Sequence, residues 1–461
     1  MAISGDRVHD GTAAAGEEGD CRHVKRATSQ RLGESNRLLV LNHLRRRGVA
    51  SMDQLVRDTG RSQPTVLKWL DALRGDGLVH RRGVGASSGG RPPTLYEYDA
   101  SAGHVLGVAV EIPSFTLALL DLSGRTIASE HGAIQGLGSP VAVQRELDQV
   151  TRNFLERHVG AITRLVHAGL AISGFIDRDA GLSLATPRLR GWHDVPVRAE
   201  FERLLECPVV LNHHIDALTL AELHVGAVDA AGDCLFFDFG YGLGVRAVRA
   251  GQPLIGRFGN AGLVGHTIVV PDGRPCLCGN RGCLEEYVSG RALLRHAGAD
   301  VSAHDEDDAI TRTIARLLDD AADPHANDAA GPSADPGDLG ARDELERFLA
   351  IGLANAINTF EQPHVVLSGF ATAGGQAFRT RLLERTRALL QPTLAAATRL
   401  TFSDLPRPEA GAAGAALFAL RDHLPFAEPL VVSEPTGRRP HVTETAVTSI
   451  DASAHATHAS R

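Results

Sequence analysis

GRPCLCGNRGCLEEYVSG, residues 273–290, is the stretch of sequence that says most about the fold of this chain. Together with a histidine ten residues before the first cysteine, it supplies one imidazole and three thiolates: His266, Cys276, Cys278 and Cys283. Four such ligands close a tetrahedral shell around zinc, so we expect a structural rather than a catalytic metal. Zinc would pin the glycine-rich loop 272–282, which has few apolar residues to pack. Free or oxidised thiols are the alternative, but this spacing in a cytosolic chain favours a metal.

The overall composition is that of an ordinary globular protein. The chain has 461 residues, of which 43% are hydrophobic and 22% charged, enough for two or three cores. The N-terminus lacks the pattern of a signal peptide, and no apolar run approaches the roughly 20 residues of a membrane span. We therefore expect a cytoplasmic protein without a membrane partner.

Positive charge is concentrated near the N-terminus. Residues 22–99 contain fifteen Lys or Arg against seven Asp or Glu, a balance of +8, whereas the whole chain carries −8. The remainder therefore carries −16. A basic head on an acidic body is typical of a nucleic-acid-binding module joined to a carrier that does not itself bind nucleic acid.

Residues 35–98 have the periodicity of a helix-turn-helix with a β-wing. Each of the first and third predicted helices has an apolar stripe, which comprises Leu38, Leu41 and Leu44 in the first and Val66, Leu70 and Leu73 in the third. Ser51 and Ser62 are suited to cap the second and third helices, over residues 52–58 and 62–74. Two strands follow, at residues 78–81 and 94–98. This order predicts a winged helix-turn-helix.

The side chains of this module that face away from its apolar stripes are of the types that bind DNA. Those of the third helix would reach base edges and phosphates: Ser62, Gln63, Thr65 and Lys68. Those of the wing would contact phosphates: Arg81, Arg82 and Arg91. We expect double-stranded operator DNA as the partner. The alternative is a winged helix used for protein contact, with a basic face that is only solvated.

After residue 104 the pattern changes to α/β. Strands are predicted at residues 104–111, 115–121, 167–173, 209–211, 234–239, 244–249 and 365–368, and helices at 216–223 and 345–360. Strand-turn-strand openings followed by strand-helix alternation indicate two related α/β lobes around a cleft. The expected organisation is a disordered tail (1–30), a winged helix-turn-helix (31–100), an effector and oligomerisation domain (101–424) with a mobile insertion (319–340), and a second disordered tail (425–461).

The zinc stretch resembles the signature of the ROK family of repressors and sugar kinases, and the similarity extends over roughly residues 35–424. Gly240–Gly244 resembles the family's second phosphate loop, Gly259–His266 its sugar-binding turn, and Pro408–Leu420 its closing helix. The winged helix and the Gly90-Arg91-Pro92 step resemble the repressor branch. The resemblance implies a winged helix-turn-helix (α+β) followed by a two-lobed α/β sugar-kinase-like domain of the actin/ribonuclease H-like fold.

Two departures from the family pattern argue against kinase activity. The resemblance assigns an Asp-x-Gly-Gly-Thr loop to ATP phosphate, but here residues 111–115 read Glu-Ile-Pro-Ser-Phe. Without glycine, and with Pro113 lacking an amide donor, the backbone cannot closely cradle an anion. The family's catalytic Asp aligns with His214, which lacks a fixed negative charge. We therefore expect no enzyme activity.

The sugar site that the resemblance implies is also altered. Its Asn-Asp pair aligns with His213 and His214, and one of its glutamates with Leu263, whereas His266 and Glu285 match. Either the effector is not a plain hexose, or the pocket binds none. The two adjacent histidines are either effector ligands or a satisfied polar pair at a strand end.

These observations predict a transcription regulator, a repressor that binds a pseudo-palindromic operator as a homodimer or tetramer and senses a sugar or sugar derivative through a catalytically dead kinase-like domain. Two rival hypotheses remain at this point. One is a sugar kinase with a regulatory DNA-binding head. The other is a regulator or scaffold with no small-molecule effector, which Leu263 favours.

Overall fold

A computed structural model describes residues 37–86, 92–186, 188–189, 191–226, 232–296, 306–318 and 336–424. Both predicted tails, the wing arginine Arg91 and residues 319–335 of the predicted insertion lie outside the described residues. Among the described residues, no helix is long and apolar enough to cross a membrane.

The N-terminal part consists of three helices and a three-stranded antiparallel sheet of order β1-β3-β2. Its elements are α1 (residues 37–47), β1 (Val49–Ser51), α2 (Met52–Thr59), α3 (Gln63–Gly75), β2 (Val79–Val84) and β3 (Thr94–Tyr98). Strand β2 continues three residues beyond Arg81, where the sequence predicted its end. Together β2 and β3 form the wing.

Local sequence explains the helix boundaries of this module. Ser51 begins α2 with a capping box: its hydroxyl accepts from the N–H of Gln54, whose side chain accepts from the N–H of Ser51. Gly60 ends α2 at φ 63°, a conformation that favours glycine. Ser62 is the N-cap of α3, but its hydroxyl lies 2.9 Å from that of Thr65 and makes no capping bond. The prediction of a side-chain cap at Ser62 is therefore wrong.

Two five-stranded sheets with the same topology form the lobes of the body. The first sheet has the order β11-β7-β4-β5-β6 and the second β16-β15-β12-β13-β14. In each sheet, three strands that are consecutive in the chain pair antiparallel. The other two strands run parallel to the first of these three. Their strands are β4 (His104–Glu111), β5 (Ser114–Asp121), β6 (Thr126–Ala133), β7 (Leu165–Ile172), β11 (Val209–His213), β12 (Cys234–Phe239), β13 (Leu243–Arg249), β14 (Gln252–Pro253), β15 (His364–Gly369) and β16 (Arg399–Phe402). A small antiparallel sheet comprises β8 (Phe175–Asp177), β9 (Leu182–Ala185) and β10 (His193–Val195).

Helices surround and connect these sheets. They are α4 (Pro140–Arg157), α5 (Val197–Leu205), α6 (His214–Val225), α7 (Glu285–Val288), α8 (Gly290–His296), α9 (Glu306–Leu318), α10 (Pro336–Phe360), α11 (Gln376–Ala388), α12 (Pro392–Ala397) and α13 (Glu409–His423). Helix α10 begins at Pro336, so residues 336–340 belong to a helix and not to the predicted mobile insertion. Proline is tolerated at a helix start because its missing amide would have no intrahelical partner there.

Helix α13 lies against the first sheet and against α6, and glycines allow this close approach. A Cβ at Gly169 of β7 would lie 1.8 Å from the carbonyl oxygen of Ala415, and one at Gly414 would lie 1.8 Å from that of Ala217 in α6. Backbone therefore packs directly on backbone where the two helices and the sheet meet. The packing fixes the start of α6, which carries His214.

Replacing Gly414 with alanine is expected to lower the free energy of unfolding by about 2–3 kcal/mol, because the new methyl group forces α13 away from α6. Urea unfolding followed by circular dichroism measures this change. Gly138→Ala is the matched control, since a Cβ there would have no heavy atom within 4 Å. Equal stability of the two variants would contradict the close-packing argument.

The winged helix shares an apolar cluster with the body. Buried side chains of α1 and α3 belong to the same cluster as Val105 of β4 and Leu420 of α13. At the junction, the hydroxyl of Tyr98 donates to the carbonyl oxygen of Leu122 at 2.9 Å, and the Arg45 guanidinium lies 5.8 Å from the Tyr98 ring centre. The winged helix and the body are thus joined by packed side chains.

Candidate functional site

The predicted zinc ligands converge on one point. Nδ1 of His266 lies 3.6 Å from Sγ of Cys276, and Sγ of Cys278 lies 3.7 Å from Sγ of Cys283. All four ligand atoms lie within 4.8 Å of one another. A tetrahedral zinc with Zn–S bonds of about 2.3 Å and a Zn–N bond of about 2.0 Å holds its ligand atoms about 3.5–3.8 Å apart. The geometry of the cluster therefore fits zinc.

The loop that carries these thiols, which lies within the described residues 232–296, contains no helix and no extended strand. Two isolated bridges, Ile268 with Cys283 and Pro275 with Arg281, provide its regular backbone pairing. Gly282 adopts φ 77°, and a Cβ there would lie 1.7 Å from the carbonyl oxygen of Val270, so only glycine fits. Backbone hydrogen bonds within the loop, such as that from the N–H of Cys276 to the carbonyl oxygen of Asn280 at 2.8 Å, complete its turns.

A cavity of about 320 Å³ lies in the cleft next to this loop. Its wall includes His266 and Glu285, the two residues that match the sugar-binding pattern. Oε2 of Glu285 accepts from the backbone N–H of Leu243 at 3.1 Å, and Oε1 lies 3.7 Å from the guanidinium of Arg291. Glu285 is thus held at the cavity wall by a backbone donor and a cation.

His213 lines the same cavity but uses its ring for backbone contacts. Nδ1 caps α6 by accepting from the N–H of Ile215 at 3.3 Å, and the ring also makes a hydrogen bond with the backbone of Gly174. Burial, together with the charges of Arg246 and His214, lowers the pKa of His213 to about 3. These contacts favour the interpretation of His213 as a satisfied polar residue at a strand end.

His214 lies next to a carboxylate of the same lobe. Its Nε2 lies 3.4 Å from Oε2 of Glu111, at the end of β4, and both residues line the cavity. Burial raises the pKa of the Glu111 carboxyl, but neighbouring His214, Arg407 and Arg188 outweigh burial and hold it below its usual range. The residues between β4 and β5 are Ile112 and Pro113 alone, so a two-residue turn stands where the resemblance implies a glycine loop.

A second ion pair lies near the first. Arg407, just before α13, donates to Oδ1 of Asp238 in β12 at 2.6 Å. Both ion pairs lie close to Gly240, since a Cβ at this glycine would be 3.8 Å from Asp238 Oδ2 and 3.9 Å from Glu111 Oε1. Side-chain charges thus occupy the part of the cleft that the phosphate loops of a kinase would border.

Sequence reasoning missed a buried ion pair that supports the cavity. Asp216 in α6 lies 2.5 Å from Nε of Arg246 in β13, and both side chains are almost fully buried. Burial raises the pKa of Asp216 to about 6, although Arg246 opposes this shift. Arg246 also donates to the carbonyl oxygens of Leu254 and Ala261, so the pair anchors the turn that precedes His266. The signal was a charged residue within an apolar helix and another within an apolar strand.

The predicted DNA-contacting side chains lie on the outer surface of the winged helix. Ser62, Gln63 and Lys68 are exposed, and Thr65 is half-buried. Arg81 and Arg82 are exposed on β2, where Arg82 donates to Glu97 at 2.9 Å. Arg91 lies outside the described residues. The described members therefore remain candidates for DNA contact.

Comparison with known proteins assigns the family. The ROK family model matches residues 105–422, which is more than half of the chain. The chain belongs to the ROK family. A second model, bacterial regulatory protein of the arsR family, matches residues 34–81, which include all three helices of the winged helix. The winged helix-turn-helix followed by a two-lobed sugar-kinase-like domain, as predicted from the sequence, is thus confirmed.

Relatives of this ROK protein include both repressors and kinases. The xylose repressor of Caldicellulosiruptor bescii is 26% identical over 353 residues, which are 77% of this chain and 87% of the repressor. A solved ROK family transcriptional regulator, a homologue of the Escherichia coli MLC protein, shares the fold with a TM-score of 0.69 at 22% identity, covering 85% of this chain and 98% of that one. A ROK hexokinase from Thermus thermophilus is 28% identical with a TM-score of 0.55, covering 69% of this chain and 98% of its own.

Proposed function

We propose that this ROK protein is a DNA-binding transcription regulator, a repressor, whose kinase-like domain senses a sugar or sugar derivative and does not catalyse phosphoryl transfer. One observation carries the proposal: a winged helix with an exposed basic wing is packed on a kinase-like body in which Glu111 and His214 pair at the wall of the interlobe cavity. The similarity to a xylose repressor over 77% of the chain supports it.

The winged helix, which we assign to residues 31–100, provides the DNA contacts of the proposed regulator. Gln63 and Thr65 at the start of α3 have the amide and hydroxyl groups that read base edges, and Arg81 and Arg82 suit phosphates. Two winged helices in a homodimer or tetramer would match the two halves of a pseudo-palindromic operator.

The body, which we assign to residues 101–424, holds zinc and the effector in this proposal. His266, Cys276, Cys278 and Cys283 would bind one zinc ion, which supplies folding energy and no reaction chemistry because four protein ligands complete its shell. Glu285, His266 and His214 would bind the effector. Ligand binding between the lobes would favour a closed form, and the packed junction at Tyr98 would carry that change to the winged helix.

The wing arginines provide a test of DNA binding. Arg81→Ala and Arg82→Ala are each expected to weaken binding to every duplex several-fold and to reduce the slope of log affinity against log salt by about 1. Gln63→Ala should instead cost about 1–3 kcal/mol at one base position and change the preferred sequence. Fluorescence anisotropy with duplexes captured from genomic DNA, repeated at several salt concentrations, measures both effects.

Arg157→Ala is the matched control for Arg82→Ala. The Arg157 side chain is 57% exposed and pairs with Glu130, which is 29% exposed, and the Arg82–Glu97 pair has the same two values. Arg157 lies on the acidic body, so its loss should leave duplex binding unchanged. Operator binding by a chain truncated to residues 101–461 would contradict the proposed role of the winged helix.

A further inference from the structure

Two leucines with large exposed fractions line the interlobe cavity. Leu263 is 48% exposed and Leu277 is 59% exposed, and both contribute to the cavity wall. Phe175 lines the cavity as well, and its ring stacks on that of His266 with 6.0 Å between the ring centres. One part of the wall is therefore apolar and open to solvent.

The positions of both leucines are fixed by the fold. Leu277 lies between Cys276 and Cys278, two of the four residues that converge as proposed zinc ligands. Leu263 follows Gly262, which adopts φ 82° and where a Cβ would come within 2.4 Å of the carbonyl oxygen of Val245. The turn therefore lies directly on β13.

The rest of the wall is polar. Glu285, His214 and Glu111 line the same cavity, together with Arg188, whose guanidinium lies 4.1 Å from the ring centre of Tyr241. Such groups can bind the hydroxyls of a sugar, because carboxylates accept hydrogen bonds and guanidinium groups donate them. A cavity with one polar and one apolar part is complementary to a ligand that has the same division.

We infer that the effector is a sugar derivative with an apolar substituent, an aryl or alkyl glycoside, and not an unsubstituted sugar. The inference rests on the proposed effector role of the cavity and specifies the class of ligand. The sugar hydroxyls contact Glu285 and His214, and the apolar group covers Leu263 and Leu277. Removing the exposed surface of these leucines from water supplies the preference for a substituted sugar.

The test measures binding by isothermal titration calorimetry to the zinc-loaded full chain without DNA. The probes are the free sugar, methyl β-glycoside and 4-nitrophenyl β-glycoside of xylose, glucose, galactose and N-acetylglucosamine. At least one 4-nitrophenyl glycoside should bind about tenfold or more tightly than its own free sugar. If every free sugar binds as tightly as its aryl glycoside, or if no probe binds, the inference is wrong.

Two variants and a control assign the effect to the leucines. Leu263→Ser and Leu277→Ser should each reduce the aryl preference several-fold, because each removes apolar surface that the aryl group would cover. Leu254→Ser is the control, since Leu254 is 51% exposed on the same segment but does not line the cavity. An aryl preference that survives in the Leu263→Ser, Leu277→Ser double variant would overturn the inference. Duplex binding by the unliganded protein, measured in parallel, tests the proposed function separately.

Discussion

Replacing Cys278 with serine is expected to remove bound zinc and to destabilise the kinase-like domain by at least about 4 kcal/mol, since the loss of a structural metal is among the largest effects of a single substitution. The sulfur of Cys278 lies 3.7 Å from that of Cys283, within the range for two thiolates on one zinc ion. Metal-binding free energy at such a site is folding free energy, because the unfolded chain has no preformed site. A fall of about 6 °C or more in the melting temperature should follow, because the unfolding entropy of a domain of this size is about 0.7 kcal/mol/K.

Cys207→Ser is the control for this experiment. Cys207 is a free, partly buried thiol outside the metal cluster, so its substitution should leave the zinc content at one ion per chain. Elemental analysis of protein purified without chelator gives the zinc content, and differential scanning calorimetry gives the melting temperature. Absence of zinc from the unmodified protein, or equal melting temperatures for Cys278→Ser and the unmodified protein, would refute the structural zinc site.

Features that depend on local sequence were predictable. The apolar stripe of α3, Val66, Leu70 and Leu73, is buried as its periodicity indicates. The three thiols and His266 meet because the short loop between them leaves few other arrangements. The capping box at Ser51 likewise depends on residues three positions apart. Each of these features follows from neighbours in the chain.

Features that depend on tertiary arrangement were not predictable. The Asp216–Arg246 pair joins residues from α6 and β13, and neither residue indicates its partner in the sequence. Leu263 and Leu277 meet at one cavity only after the metal loop has folded against the second lobe. The start of α10 at Pro336 was missed because proline and glycine there resemble a loop composition. His213 was assigned equally to ligand and structure because one of its backbone partners, Gly174, is remote in the sequence.

The unmodified protein is expected to show no sugar-dependent ATP turnover above background. Phosphoryl transfer to a sugar hydroxyl requires a positioned phosphate and a base that accepts the hydroxyl proton. Removing a positioned base alone typically costs about 10²–10⁴-fold in rate, and the lost phosphate cradle adds to this. A coupled assay for ADP release across hexoses, pentoses and N-acetyl amino sugars measures the activity.

The variant His214→Asp is expected not to restore catalysis, because Glu111 lies beside this position in the cleft. Nε2 of His214 lies 3.4 Å from Oε2 of Glu111, so an aspartate would introduce a second carboxylate near the first. Two close carboxylates disfavour the ionised base, because one of them must take up a proton. Glu111 would also repel the γ-phosphate, and the turn at Ile112 and Pro113 provides no glycine amides to bind it. Hexose phosphorylation by the unmodified protein that is abolished by His214→Ala would contradict this argument and show that the kinase-like domain is an active kinase.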